Sequence, residues 1–292
     1  MGVDARLVVY APDKETAETA CKAAFDRIAA LDTIMSDYRI DSELNNLSNG
    51  SGGPAIRVSA DLFKVLERSL EMSRRTNGAF DVTVGPLISL WRKARKTSIL
   101  PTFDEIKAAK SKIGWRKVVL NAKDQTARLT TPGMKLDLGG IAKGFADDEA
   151  QIVLKRYGIK SALVEMGGDI VVSSPPPGKK GWTIQIPNAE NGAGPVDIEY
   201  TNCAISCSGD TEQNVVIGGK QYSHVVDPTT GMALTNRVQA TVIAPNGLIS
   251  DPLSTAITLV KPNDRKKLLE SYPGTQCFVK VLPFKINTRA SD

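Results

Sequence analysis

Residues 136–144, which read LDLGGIAKG, combine a carboxylate, two adjacent glycines and a lysine where a strand is expected to pass into a helix. Glycines at such a junction allow a ligand to approach the backbone, and the amides at a helix N-terminus favour a phosphate group. Lys143 can add a positive point charge. The spacing is not that of a P-loop. The stretch therefore predicts either a phosphate-binding junction or an ordinary turn that starts a helix.

Apolar patterns on both sides of this stretch predict the secondary structure. Before it, the patterns predict a strand at residues 5–10, a helix after Asp13 as N-cap, and a second helix over residues 59–75. A third helix is expected over residues 141–157. The remaining predicted segments are strands 161–165, 182–186, 196–200, 214–217, 222–226 and 238–244, helices 251–260 and 263–271, and a last strand 276–282. Helices early and strands late predict an α+β fold, in one domain over residues 1–292.

Composition excludes several classes of protein. Of the 292 residues, 41% are hydrophobic and 24% are charged, which excludes a disordered or collagen-like chain. The net charge of +5 includes the basic run RKARK at residues 92–96, which favours a solvated surface over a nucleic-acid patch because it is short. Four cysteines with one histidine argue against a zinc site, while a disulfide between Cys203 and Cys207 stays open. No apolar run approaches the roughly 20 residues that span a bilayer.

The only histidine, His224, lies in residues 222–231, YSHVVDPTTG, at the expected end of a strand and before an Asp-Pro turn. Histidine is the side chain best suited to move a proton near neutral pH, so His224 is a candidate catalytic base. A lone histidine more often makes a structural hydrogen bond. Both interpretations stay open at this point.

Residues 250–255, SDPLST, place Asp251 and Thr255 four positions apart, so on a helix both side chains would face one way. Two hard oxygen ligands with a nearby carbonyl suit magnesium. The alternative is structural, because Asp251 followed by Pro252 is also the pattern of an N-cap with proline at the first helical position.

A fourth segment, residues 76–87, reads TNGAFDVTVGPL and precedes Trp91. It can offer an aromatic surface and a carboxylate to a ring-shaped ligand. A helix end that leads into a strand explains the same residues equally well.

The order of these segments carries more information than any one of them. GAFDVTVGPL, LDLGGIAKG, VEMGGDI, SHVVDPTTG and SDPLSTA follow one another as in the ApbE family of FAD:protein FMN transferases, which this chain resembles from Met1 to about Val260. The resemblance implies an α+β fold with mixed or antiparallel sheets flanked by helices, arranged as two intertwined subdomains.

The resemblance also implies a role for individual residues. His224 matches the proposed base, and Gly140 sits where the family lends a backbone carbonyl to magnesium. Asp251 and Thr255 match the side-chain metal ligands. The positions that match contacts with FAD are Met1, Tyr38, Ala79, Phe80, Asp81, Asp137, Lys143 and Val225, the last through its backbone.

Three positions depart from the family pattern. Val3 and Cys207 each stand where the family usually has threonine, and Pro252 replaces a small residue. None of these changes removes a metal ligand or the histidine, so activity is expected to survive.

The implied reaction is a magnesium-dependent transfer of FMN from FAD to a threonine or serine hydroxyl of an acceptor protein, with release of AMP. Two alternatives are an FAD pyrophosphatase, which would use water as the acceptor, and a non-catalytic FAD-binding protein. By resemblance the site of action is the periplasm or the outer face of the inner membrane. No nucleic-acid partner and no transmembrane segment are expected.

Overall fold

A computed structural model of the chain describes residues 2–186, 196–209 and 214–281. Within these ranges no helix is both long enough and apolar enough to cross a bilayer.

A 3₁₀ turn, Trp115–Lys117, precedes the third strand. The helices and strands are, in chain order, β1 (Ala5–Tyr10), α1 (Lys14–Met35), α2 (Glu43–Asn49), β2 (Ile56–Arg57), α3 (Ala60–Arg75), α4 (Gly85–Thr97), α5 (Phe103–Ser111), β3 (Val118–Asn121), β4 (Thr126–Leu129), α6 (Ala142–Arg156), β5 (Ser161–Met166), β6 (Asp169–Val172), β7 (Trp182–Ile186), β8 (Val196–Tyr200), β9 (Cys203–Ser208), β10 (Asn214–Ile217), β11 (Lys220–Ser223), β12 (Val238–Ala244), α7 (Gly247–Leu259), α8 (Pro262–Glu270) and β13 (Gln276–Val281).

Six strands form the central sheet in the order β1-β5-β6-β9-β12-β13, and every neighbouring pair is antiparallel. Helices α6 and α7 pack on this sheet, and α1 packs on α6. Because side chains alternate along a strand, Val164 joins the core beneath the helices while Leu163 joins a second core under the hairpin of β7 and β8. The predicted α+β class, with antiparallel sheets flanked by helices, is confirmed.

Helices α6 and α7 cross at two glycines. A Cβ atom built on Gly144 would lie 2.2 Å from the carbonyl oxygen of Gly247, and a Cβ atom on Gly247 would meet the carbonyl oxygen of Gly144 at 2.2 Å. A methyl group does not fit at either position, because packed atoms cannot approach so closely. The contact therefore brings the start of α6 against the first turns of α7.

A third hydrophobic cluster lies between α4, α5 and the hairpin of β10 and β11. Trp91 of α4 is fully buried there and packs on Tyr222, with ring centroids 5.2 Å apart. Its indole N–H donates to the carbonyl of Gly231 at 3.0 Å. Helix α4 therefore holds the segment that contains the only histidine.

Two predicted helix starts are confirmed by their capping side chains. The backbone N–H of Thr16 donates to Asp13 Oδ1 at 2.7 Å, and that of Leu62 donates to Ser59 Oγ at 3.2 Å. Each cap satisfies a backbone donor that has no partner inside the helix, which is why α1 and α3 begin where the sequence indicated.

The strand suggested for residues 76–87 does not form. The chain turns at residues 81–84, and Pro86 in the first turn of α4 begins a helix, because its fixed φ suits that position. The strand expected before LDLGGIAKG is reduced to an isolated bridge at Lys135. In residues 76–87 the β-branched residues Val82, Thr83 and Val84 were therefore misleading.

Helix α7 begins earlier than predicted. Asn246 is its N-cap, because the backbone N–H of Ile249 donates to Asn246 Oδ1 at 3.1 Å. Asp251 and Pro252 consequently lie inside the helix, and the interpretation of Asp251 as an N-cap followed by a first-position proline is wrong. Pro252 instead removes one backbone donor from the helix interior.

One predicted strand end is corrected, and the open question of a disulfide is answered. Strand β11 ends at Ser223, short of the predicted end at residue 226. Cys203 and Cys207 lie on one strand, four positions or roughly 13 Å apart, which is too far for a disulfide.

Candidate active site

Three oxygen-bearing residues meet where α6 begins. Asp251 and Thr255 lie one turn apart on α7, and Asp251 is almost fully buried. Gly140 lies just before α6, and a Cβ atom built on it would be 3.1 Å from Thr255 Oγ1. The structure thus places Gly140 against Thr255, and the start of α6 against Asp251, although Gly140 is more than 100 positions from either residue in the sequence.

The carboxylate of Asp251 is held by the first turn of α6. The backbone N–H of Gly144 donates to Asp251 Oδ2 at 3.0 Å, and Lys143 Nζ lies 3.4 Å from Asp251 Oδ1. Both contacts require the close crossing of the two helices. The orientation of this aspartate is therefore set before any ligand binds.

Lys143 also forms a close ion pair with Asp169, the first residue of β6. Burial opposes the charged ammonium, but Asp251 and Asp169 outweigh it and raise the pKa of Lys143. Lys143 consequently stays protonated near neutral pH. Burial, reinforced by the charge of Asp251, raises the pKa of Asp169 to about 7.

A further aspartate, Asp147, lies one helical turn after Lys143 and is fully buried. Neither of its carboxylate oxygens has a hydrogen-bond partner among the described residues. Burial, followed by the charge of Asp169, raises the pKa of Asp147 well above its usual range. The region around Lys143 is thus rich in acidic groups and holds one ammonium.

The donor set has the chemistry that a hard divalent cation requires. It offers one carboxylate, one hydroxyl and one backbone carbonyl, all of them oxygens. The absent Cβ of Gly140 leaves a space against Thr255 that any other residue would fill. Within the described ranges no three His, Cys, Asp or Glu side chains cluster as a metal site, so a cation here would depend on this mixed oxygen set.

An aromatic residue borders the same space. Phe80 Cε2 lies 3.4 Å from the position of a Cβ on Gly140, and the backbone N–H of Phe80 donates to Thr76 Oγ1 at 3.1 Å. Ala79 continues the same turn, since its N–H donates to the Thr76 carbonyl at 3.1 Å. Phe80, one of the predicted flavin-contact positions, therefore lies beside the oxygen set, and Ala79 precedes it in the same turn.

Asp81 has a different setting. Its carboxylate accepts hydrogen bonds from the N–H and hydroxyl of Thr83, at 2.8 and 2.7 Å, and from the N–H of Trp115 at 2.9 Å. Burial raises the pKa of Asp81 despite these bonds. The structure uses Asp81 to fold the turn before α4, and its predicted contact with FAD stays a prediction.

Tyr38 and Asp137 are joined by Arg92 of α4. The Arg92 guanidinium lies 4.4 Å from the centroid of the Tyr38 ring and bonds Asp137 Oδ2 at 3.2 Å. Asp137 also accepts from the N–H of Gly139 at 2.9 Å, and burial raises the pKa of its carboxyl group. Two predicted flavin contacts thus share one partner that the sequence did not reveal.

His224 and Val225 follow β11 in the segment that packs on α4. Val225 is buried; its N–H donates to Ser223 Oγ at 3.1 Å and its carbonyl accepts from the N–H of Leu234 at 2.8 Å. The roles of His224 and Val225 stay predictions, and Met1 lies outside the described residues.

Sequence reasoning missed three polar residues of this region. Asp147 could have been found from the sequence, because it lies four positions after Lys143 and therefore on the same face of the helix. Asp169 stands in the VEMGGDI segment, but no pattern there indicates its pairing with Lys143. Arg92 was assigned to a solvated basic run.

The fold and the site together define an α+β protein in which a charged lysine and a mixed set of oxygens meet beside aromatic side chains. The sequence model of the ApbE family matches residues 1–279, and the chain belongs to that family. The FAD:protein FMN transferase of Treponema pallidum is 29% identical over 292 residues, covering 94% of this chain and 80% of the relative. The enzyme of the same name from Vibrio cholerae is 32% identical over 231 residues, covering 77% of this chain and 69% of the relative.

Solved structures share the fold. The flavin transferase ApbE from Vibrio cholerae gives a TM-score of 0.82 at 29% identity and covers 95% of this chain and 89% of its own. The Pseudomonas stutzeri flavinyl transferase ApbE, in its apo form, gives 0.83 at 25% identity, with 97% and 92% covered. The resemblance drawn from the five sequence segments is confirmed.

Proposed function

We propose that this protein transfers the FMN part of FAD to a threonine or serine hydroxyl of an acceptor protein, with Mg²⁺ in the site, and releases AMP. Two observations carry the proposal: Gly140 lies against Thr255, and Asp251 lies one helical turn from Thr255 and beside the ammonium of Lys143. Family membership and the names of the curated relatives support the same reaction.

The metal would be held by the carbonyl of Gly140 and by the side-chain oxygens of Asp251 and Thr255, which are the donor types that Mg²⁺ prefers. When bound, Mg²⁺ would offset the negative charge of the FAD pyrophosphate. Asp251 needs little reorganisation for this task, because the N–H of Gly144 already holds one of its oxygens. Preorganisation of this kind lowers the cost of binding.

Lys143 supplies the second positive charge. Its pKa is raised by Asp251 and Asp169 in spite of burial, so the ammonium is charged when the substrate arrives. Asp169, at the start of β6, restrains the Lys143 side chain through their ion pair. We assign Lys143 to bind a phosphate oxygen of FAD and to stabilise the charge that builds up during transfer.

The transfer itself exchanges one P–O bond for another. The acceptor oxygen bonds to the FMN-side phosphorus, the bond between that phosphorus and the bridging oxygen breaks, and AMP leaves with the bonding electrons. We assign His224 to take the proton of the acceptor hydroxyl, a role supported by its match to the family base and by its being the only histidine.

The flavin end of FAD would lie along the aromatic side of the site. Phe80 borders the oxygen set, and Tyr38 offers an exposed ring. Family resemblance supports action in the periplasm, on an acceptor that meets the protein there. Cell fractionation with an antibody against this chain would test that location, and recovery only from the cytoplasm would contradict it.

The proposal is tested by incubating the protein with FAD, MgCl₂ and a folded candidate acceptor. The expected products are an acceptor that keeps flavin fluorescence on a denaturing gel and one equivalent of AMP measured by chromatography. A matched acceptor with the target threonine changed to alanine should stay dark, and EDTA should stop both signals.

Other outcomes identify the two alternatives. Free FMN with AMP and a dark acceptor would indicate a pyrophosphatase that uses water. Intact FAD bound to the protein, without AMP, would indicate a flavin-binding protein. Either result contradicts the proposed transfer.

A further inference from the structure

Arg92 differs from the exposed lysines of its basic run. Its side chain is 26% exposed, whereas that of the next residue, Lys93, is 69% exposed and pairs with Glu105 on the surface. Arg92 instead points toward the segments that carry Tyr38 and Asp137. Arg92 is therefore part of the wall of the site and not of the solvated surface.

The guanidinium of Arg92 bridges two carboxylates. One nitrogen, Nη1, forms a close ion pair with Asp37, and Nη2 lies 3.2 Å from Asp137 Oδ2. Both aspartate side chains are nearly buried. The planar fork of arginine can satisfy two acceptors at once, which the single ammonium of lysine does less well.

The same guanidinium covers the ring of Tyr38. Its central carbon lies 4.4 Å from the ring centroid, yet Tyr38 remains 70% exposed. One part of the ring is thus supported from within the protein and the rest faces solvent. The backbone of this loop is held separately, by Asn45 Nδ2, which donates to the carbonyls of Asp37 and Arg39 at 3.0 and 2.7 Å.

Helix α4, which carries Arg92, is packed firmly against its neighbours. A Cβ on Gly85, at the helix start, would lie 2.5 Å from the Lys135 carbonyl oxygen, so the helix touches the backbone that leads to Asp137. The neighbouring Trp91 is buried and hydrogen-bonded to Gly231. The backbone of Arg92 is therefore held in place by packing on both sides of it.

We propose that Arg92 is a positioning residue for the flavin ring: it locks the Tyr38 ring as a stacking surface and ties it to Asp137. This inference rests on the proposed function, because it takes FAD as the ligand. A planar ring system stacks best on an aromatic ring that does not move. Removing Arg92 releases Tyr38 and leaves Asp37 and Asp137 facing each other without their shared cation.

The test measures FAD binding separately from turnover, in Arg92→Ala and in the neighbouring control Lys93→Ala. For Arg92→Ala we expect Kd, from quenching of FAD fluorescence, and KM to rise together by about tenfold. We expect kcat to change less than about twofold, because Lys143 and Asp251 keep their contacts. Lys93→Ala should match the wild type in all three quantities.

A double-mutant cycle with Tyr38→Ala separates positioning from a general structural effect. If Arg92 acts through Tyr38, the double variant should bind FAD no more than about threefold more weakly than Tyr38→Ala alone. Fully multiplicative losses in Kd, or an unchanged Kd in Arg92→Ala, would overturn the inference. If Arg92→Ala does not fold, Arg92→Lys serves in its place, with an expected rise in Kd of about threefold and an unchanged Kd as the contrary result.

The two proposals fail in different ways. A wild-type protein that binds FAD but forms neither AMP nor flavinylated acceptor contradicts the proposed transfer, while the Kd values still decide the role of Arg92. A wild-type protein that transfers FMN, with Arg92→Ala equal to it in Kd and KM, contradicts only the role of Arg92.

Discussion

Lys143 Nζ lies 3.4 Å from Asp251 Oδ1, across the contact between α6 and α7. The two residues are 108 positions apart, and the next residue of α6, Gly144, binds the other carboxylate oxygen of Asp251. The lysine assigned to phosphate and the aspartate assigned to the metal are thus held by the same helix crossing. Changes at this crossing are therefore expected to affect both ligand binding and folding.

Asp251→Ala should lower kcat/KM for FMN transfer by roughly 100-fold or more, because it removes the only carboxylate from the proposed donor set. The rate of AMP release as a function of Mg²⁺ concentration measures this, and the variant should need much more Mg²⁺ for half-maximal rate. Asp264→Asn, on the exposed start of α8, is the control. Wild-type Mg²⁺ dependence in Asp251→Ala would contradict the assignment.

His224→Ala should lower kcat for transfer by roughly 100-fold to 10,000-fold, because no other imidazole in the chain can take the proton of the acceptor. The Kd for FAD, measured by fluorescence quenching, should stay near the wild-type value if His224 acts on the acceptor alone. Single-turnover formation of flavinylated acceptor is the appropriate measurement. A variant with wild-type kcat would show that His224 is structural.

Gly144→Ala should reduce the free energy of unfolding by roughly 1–3 kcal/mol, because the added methyl group would meet the Gly247 carbonyl at 2.2 Å. Separation of the helices would also move Lys143 away from Asp251, so transfer activity should fall with stability. Urea unfolding followed by circular dichroism measures the first effect. Lys155→Ala, exposed on the same helix, should stay close to the wild type in both tests.

Asp148 provides a test of pH dependence. Its carboxylate accepts from the N–H groups of Gly247 and Leu248, at 2.7 and 2.9 Å, and burial raises its pKa from 3.8 to about 6. Between these values the folded state binds more protons than the unfolded chain, so this group's contribution to stability falls as pH rises.

The unfolding free energy of the wild type, minus that of Asp148→Asn, should therefore decrease from pH 4 to about pH 6 and then level off. Urea titrations at four pH values across this range measure the difference. Asp264→Asn should show no such trend, since that residue lies in the exposed first turn of α8. A difference that rises with pH would contradict the raised pKa.

Prediction from sequence worked best where a capping side chain or a regular spacing of residues identifies a helix. Asp13 and Ser59 cap their helices as expected, and the spacing of Asp251 and Thr255 correctly placed both on one helix face. It failed at residues 81–84, where valine and threonine occur in a turn. There the turn depends on Asp81, whose hydrogen bonds include one from the distant N–H of Trp115. A local pattern cannot reveal such a partner.

By itself, the sequence determined the α+β class, most of the long helices and the family to which the chain belongs. Helix caps, apolar periodicity and the order of motifs can all be read from the sequence without knowing which segments pack together. Only the tertiary structure decided which residues the LDLGGIAKG stretch contacts. It showed that Gly144 permits the crossing with α7, that Asp169 binds Lys143 from 26 positions away, and that Arg92 joins Asp37 and Asp137. These contacts depend on which helices pack together, and packing is a property of the whole folded chain.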